Sequence, residues 1–215
     1  MAFQYACFIS YAHGQYDLIK GFIDQLKNAL KAELEALLDE EVYVDADRLK
    51  PGFLYNAALA AAICKSVCMV VVYSPRYERH EYCGREFTAM EQLEAHRRAL
   101  LAQAQAQVGA RGFIIPVILR GEMNLPPRIT QGRHYADFSQ FSLAMTDISR
   151  HPEYATKIRE IADVIEAQYR AFADSGTDAC ATCDAFQLPP VTALPPWRIA
   201  PKPVTAVFPG RQGSP

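Results

Sequence analysis

The sequence predicts an α/β protein built on one open parallel sheet of about five strands with helices on both faces. Three observations predict it. Short runs of β-branched and aromatic residues alternate with longer stretches of helical periodicity. One run, Val67–Tyr73, is apolar at every position, as a central strand covered on both faces requires. No apolar stretch approaches the roughly 20 residues of a membrane span.

Tyr5–Ser10 is a short apolar run that stops at Ser-Tyr-Ala-His-Gly, and it reads as the first strand. From Tyr16 to Leu38, Ile19, Phe22, Ile23, Leu26, Leu30, Leu34 and Leu37 recur at helical spacing. Val42–Asp45 is a second strand, Pro51-Gly52 breaks the chain, and the alanine-rich stretch Leu54–Lys65 is a helix. After the Val67–Tyr73 strand, Ser74–Glu81 reads as a polar loop and Tyr82–Gln105 as a long helix. Gly109 and Gly112 precede a fourth strand, Phe113–Leu119, and His134–Phe138 supplies a fifth. The last helix, about Glu153–Ala173, places Ile158, Ile161, Ala162, Ile165 and Tyr169 on one face.

Beyond residue 175 the character changes: 8 of the 14 prolines fall between Pro189 and Pro215, which excludes helix or central strand there. The chain therefore divides into a domain over 1–175 and a proline-rich tail over 176–215. Trp197, Ile199, Val207 and Phe208 are large apolar side chains for a bare linker, so the tail is expected to dock on the domain or on a partner.

Twenty-two basic against 24 acidic residues give a net charge of −2, which supplies no field for phosphate backbones and argues against a nucleic-acid partner. The N-terminus MAFQYACFIS has neither a basic region nor a cleavage signal, so a cytoplasmic protein without membrane attachment is expected. On that view the six cysteines are reduced thiols. Cys180-Ala-Thr-Cys183 has half a zinc spacing but no second pair follows, so no metal is expected.

In a sheet of this kind ligands gather beyond the carboxyl ends of the strands, here Ser10–Gly14, Asp45–Gly52 and Ser74–Glu81. Three stretches sit there: Phe8-Ile-Ser-Tyr11, Val42-Tyr-Val-Asp-Ala-Asp-Arg-Leu-Lys-Pro-Gly52 and Tyr82-Cys-Gly-Arg-Glu86. In order and spacing they resemble the TIR domain family over roughly residues 3–173, and specifically its bacterial NAD-cleaving type. The first resembles the strand A signature, the second strand B and the BB loop, and the third the tryptophan-x-x-x-glutamate motif, with Tyr82 at the tryptophan position.

The resemblance implies a flavodoxin-like sheet and an enzyme that cleaves the nicotinamide–ribose bond of NAD, giving nicotinamide and ADP-ribose or a cyclic or conjugated derivative, in bacterial defence. NAD is then substrate, and no cofactor is implied. Glu86 matches the catalytic glutamate. Ser10, Tyr11, Asp45, Arg48, Leu49, Tyr82 and Cys83 are the implied substrate contacts. Leu49, Pro51, Gly52 and Phe53 of the BB loop are the implied self-association surface, in an open filament whose neighbouring subunit completes the site. A separate sensor or effector protein is a further implied partner. One carboxylate suffices, because nicotinamide leaves as a neutral base from a cationic ring while charge builds on the ribose.

Other readings of the same residues stay open. A glutamate in the first turn of a helix is favoured by the helix dipole alone. Asp45, Asp47 and Arg48 also fit turn-forming or solvated roles, Ser10 a cap, His13 a general base, and Cys83 simple packing. The whole domain also fits a non-catalytic TIR–TIR interaction module. Phosphorelay receivers would need a carboxylate pair where Ser10-Tyr11 stands, and the Leu49-Lys-Pro-Gly52 loop favours TIR over nucleoside deoxyribosyltransferases.

Overall fold

Five strands form one parallel sheet in the order β2-β1-β3-β4-β5: β1 Tyr5–Tyr11, β2 Glu41–Val44, β3 Ser66–Tyr73, β4 Ile114–Ile118 and β5 Ala136–Asp137. They are seen in a computed structural model that describes residues 3–14, 17–44, 55–106, 112–144 and 147–198. The helices are α1 Asp17–Glu35, α2 Tyr55–Cys64, α3 Glu81–Gln103, the single turn α4 Pro127–Thr130, and α5 Pro152–Ser175. α1 packs with α5 and α2 with α3, which places one pair on each face of the sheet.

Every expected strand and long helix is present, with ends displaced by a few residues. β3 is buried along its whole length, as its unbroken apolar run requires. The apolar stripe of α1 is realised by Phe22, Ile23, Leu26, Leu30 and Leu34, all buried. Leu37 departs from the expected stripe: the helix ends at Glu35, the chain turns, and Leu38 enters the core while Leu37 stays exposed. α5 ends at Gly176, whose φ of +64° is the left-handed geometry that closes a helix without a Cβ penalty.

Two charged side chains of α3 tie its far end to the sheet. Arg97 is fully buried, and its guanidinium donates to the carbonyls of Cys64 (2.8 Å) and Val67 (2.9 Å), the last carbonyl of α2 and one at the start of β3. A cation at a helix C-terminus meets the negative end of the dipole and satisfies an otherwise orphaned carbonyl. Burial nevertheless pushes the Arg97 pKa down to about 10. Glu94 accepts the Phe113 N–H at 2.7 Å where β4 begins and is paired with Arg133 at 2.5 Å. A Cβ at Gly112 would lie 2.4 Å from the Glu94 carboxylate, so a larger residue there would push that side chain from its place.

The expectation of six reduced thiols is corrected. Cys64, at the end of α2, forms a disulfide with Cys183, beyond α5. Cys7, Cys68, Cys83 and Cys180 are free and buried. Cys183 is thereby occupied by Cys64, while the Cys180 thiol points at the Cys64 carbonyl, 3.7 Å away. No helix among the described residues is long and apolar enough to cross a membrane.

Thiol titration of the unreduced, denatured protein is expected to count four cysteines, and six after reduction. Cys183→Ser is expected to cost about 2–4 kcal/mol of stability, the range for a bridge closing a long loop, read as a lowered Tm that the wild type reproduces in reductant. Six titratable thiols without reductant would refute the bridge.

Candidate active site

β1 lies between β2 and β3, and the connections to those two strands run over opposite faces: β1 to β2 through α1, β2 to β3 through α2. Such a reversal opens a crevice at the carboxyl end of β1. Ser10 and Tyr11 end that strand, in register with Val71 and Val72 of β3.

Glu86, in the second turn of α3, reaches into this point from the side. It is 5% exposed, and the Ser10 hydroxyl donates to its Oε2 at 2.5 Å. The Tyr77 hydroxyl lies 2.7 Å from the same Ser10 oxygen, and Ser10 and Tyr77 are themselves buried. A buried carboxylate is therefore held by a hydroxyl that a second hydroxyl holds in turn. Burial raises the pKa of Tyr77 well above its ordinary value, with the nearby Cys83 and Glu86 adding to the rise. Burial and the adjacent Glu86 likewise push up the Cys83 thiol, which stays protonated and faces the interior.

Tyr82 precedes Glu86 by one helical turn and is half-buried, its ring edge-on to Tyr55 at 5.0 Å with the Arg85 guanidinium 5.3 Å from its centre. It lines a cavity of about 580 Å³ together with Tyr55 and Asn56 of α2, Arg85, and Phe186 and Gln187 of the segment beyond α5. A second, more open cleft of about 450 Å³ is lined by Arg76, Arg79 and His80, at the turn that leads into α3. His13, stacked on Tyr11 at 4.4 Å and 6.5 Å from His80, connects that cleft with the end of β1.

The structure thus brings Ser10 and Glu86 into contact, sets Cys83 behind them in the core, and places Tyr82 in the neighbouring cavity. Asp45, Arg48, Leu49, Pro51, Gly52 and Phe53 lie outside the described residues, as do Asp47 and the tail residues Ile199, Val207 and Phe208. Tyr77 was not singled out from the sequence. It sits in a short 3-10 turn, Tyr77–Arg79, inside what reads as a polar loop, and its one signal is a lone aromatic among charges.

The tail does dock through Trp197, whose ring packs edge-on against Tyr77 (5.6 Å) and Phe87 (5.0 Å). Arg198 then clamps the turn, donating to both carboxylate oxygens of Glu78 at 2.8 and 2.9 Å. Burial acts to raise the Glu78 carboxyl, but Arg198 and the Tyr73 hydroxyl together hold it below its ordinary value.

A family model described as TIR domain matches residues 7–151. No curated protein matches the chain. Among solved structures, the TIR domains of the activated Roq1 resistosome, which directly recognises the pathogen effector XopQ, align at 19% identity, covering 78% of this chain and 95% of that one with a TM-score of 0.37.

The clamp is pH-sensitive in one direction. A carboxylate whose folded pKa is depressed contributes stability above its unfolded pKa and loses it as pH falls through the folded value. Acidification below the ordinary carboxylate range is therefore expected to red-shift Trp197 emission. Glu78→Gln should show much of that shift already at pH 7 and little further change on acidification. A Glu78→Gln spectrum identical to that of the wild type at pH 7 would rule out the clamp as what holds the tail.

Proposed function

The chain belongs to the TIR domain family, and from that membership we propose that it is an NAD glycohydrolase or cyclase with Glu86 as the catalytic carboxylate. The observation that carries the reading is the buried Glu86–Ser10 contact at the crevice beyond β1, with Glu86 one turn after an aromatic residue on α3.

Cleavage of the nicotinamide–ribose bond moves the bonding pair onto the nicotinamide nitrogen, which leaves neutral, and positive charge spreads over the anomeric carbon and ring oxygen of the ribose. A carboxylate fixed in a site poor in water stabilises that charge more in the transition state than in the ground state. Ser10 limits the motion of the carboxylate. Water then adds to the anomeric carbon and releases a proton to solvent, giving ADP-ribose, or a nucleophile on the same molecule adds to give a cyclic product. Tyr82 supplies an aromatic face beside Glu86, and the Arg76, Arg79 and His80 cleft suits the diphosphate. Bacterial defence, with NAD loss or a nucleotide signal as output, is the setting we propose, with assembly through Leu49, Pro51, Gly52 and Phe53.

The second reading is a non-catalytic module that recruits other TIR domains. A buried acid engaged by a serine near a helix start serves that role as well. Incubating the purified protein at high concentration with NAD and measuring free nicotinamide separates the two. Glu86→Ala is expected to remain folded and to lose at least about 100-fold in turnover, the scale of a lost transition-state charge partner. Tyr82→Ala should lose part of the activity and Tyr82→Trp recover it. Specific activity should climb with protein concentration and fall in Pro51→Asp. Absence of nicotinamide release at every concentration would leave the recruiting module as the reading.

A further inference from the structure

Residues 176–198 form a strap that lies beyond the family match and runs across α2 and the start of α3. It is fastened repeatedly. The disulfide holds Cys183 to α2, Arg85 donates to the Pro189 carbonyl at 2.9 Å, and Arg128 donates to the Pro195 carbonyl at 3.0 Å. Leu194 packs so close to Gly84 that a Cβ there would lie 3.2 Å from its methyl. Beyond Trp197, Arg198 bonds Glu78 and, at 2.6 Å, the Asn124 carbonyl.

These attachments deliver Trp197 to one place. Its ring packs against Tyr77 and Phe87, and the Arg128 guanidinium lies 4.6 Å from its centre. The other end of Tyr77 is the hydroxyl bonded to Ser10. Ser10 has one proton, and that proton is directed at Glu86. Tyr77 must then be the donor in the remaining bond, so the order is Tyr77 O–H to Ser10 Oγ, and Ser10 O–H to Glu86 Oε2. Such a chain holds the carboxylate in one orientation only while the phenol stays in place. The indole is one of the walls that keep it there.

We propose that Trp197 is a positioning residue for Glu86, acting through Tyr77 and Ser10, so that the strap is part of the active unit rather than an appendage. The inference rests on Glu86 being the working carboxylate, and two readouts keep its failure distinct from that of the NAD reading.

The first readout is steady-state NAD cleavage by the full chain and its Trp197→Ala, Trp197→Phe and Tyr77→Phe variants. Trp197→Ala and Tyr77→Phe are each expected to lower kcat about tenfold, the upper end for one hydrogen bond between neutral groups, with KM little changed. Trp197→Phe should recover most of the loss. The double variant Trp197→Ala with Tyr77→Phe should be no worse than either alone, because the two act in series. Wild-type kcat in Tyr77→Phe, or losses that multiply in the double variant, would overturn the proposal. Tyr77→Phe keeps the ring and its packing, so it remains informative where Trp197→Ala does not fold.

The second readout needs no turnover. Trp197 is the sole tryptophan and gives a single indole N–H resonance in a proton–nitrogen correlation spectrum. Coupling between two sites is reciprocal, so Ser10→Ala and Glu86→Gln should move that resonance. A responsive indole in a protein that leaves NAD intact would discard the NAD reading and keep the positioning role. An indole indifferent to both substitutions would discard the positioning role whatever the substrate.

Discussion

A carboxylate withdrawn from water must be solvated by the protein, and the desolvation of such an ion costs on the order of several kcal/mol unless hydrogen-bond donors replace the lost water. Glu86 imposes that demand on this fold. The Ser10 hydroxyl meets it because β1 sits inside the sheet, flanked by β2 and β3, with Ser10 buried one residue before the strand ends at Tyr11. The Tyr77 hydroxyl supports Ser10 because β3 ends at Tyr73 and a tight 3-10 turn follows, returning the chain toward α3. A single polar contact thus depends on the relative placement of β1, β3, that turn and α3.

The opposite end of α3 carries a buried cation with a different duty. Arg97 fixes the short connection between α2 and β3 by binding a carbonyl on either side of it. Its aromatic neighbours are Phe3 and Phe113, with ring centres 5.2 and 5.9 Å from the guanidinium, and both rings also meet Phe172 of α5. One helix is therefore anchored at both ends by charge, by Glu86 where the chemistry is expected and by Arg97 where the two helical layers converge. Moving α3 along its axis would break both anchors together, which gives the carboxylate a rigid mount.

The elements that were legible from sequence are those whose pattern is local. Val67–Tyr73 announces a central strand because every position is apolar, and the spacing of Tyr82 and Glu86 announces a shared stretch of helix because one turn separates them. What was not legible depends on contacts made far along the chain. Arg97 lies in His-Arg-Arg-Ala, which reads as a solvated helix face until α2 and β3 are seen to bury it. Tyr77 stands between Arg76 and Glu78, and one of the rings that pack on it is a tryptophan 120 positions later. Cys64 and Cys183 are 119 positions apart, and no spacing rule links them. Of the site, Ser10 and Glu86 were anticipated from motif order, while their shared support by Tyr77 required the turn geometry.

The Cys64–Cys183 bridge also changes the topology of the molecule as a covalent object. With that bond closed, the chain between the two cysteines is a ring, from which the N-terminal and C-terminal arms project. The ring contains β3, α3, β4, β5 and α5, whereas β1, α1, β2 and most of α2 lie on the first arm. A single backbone cut anywhere in the ring would leave one covalent particle, its pieces tethered at high effective concentration and able to reassociate as an intramolecular reaction. A cut in the first arm between α1 and β2 would instead release β1, and Ser10 with it, held only by its packing in the sheet. The two halves of the Ser10–Glu86 contact therefore differ in how they survive damage: the glutamate belongs to the ring, and the serine does not.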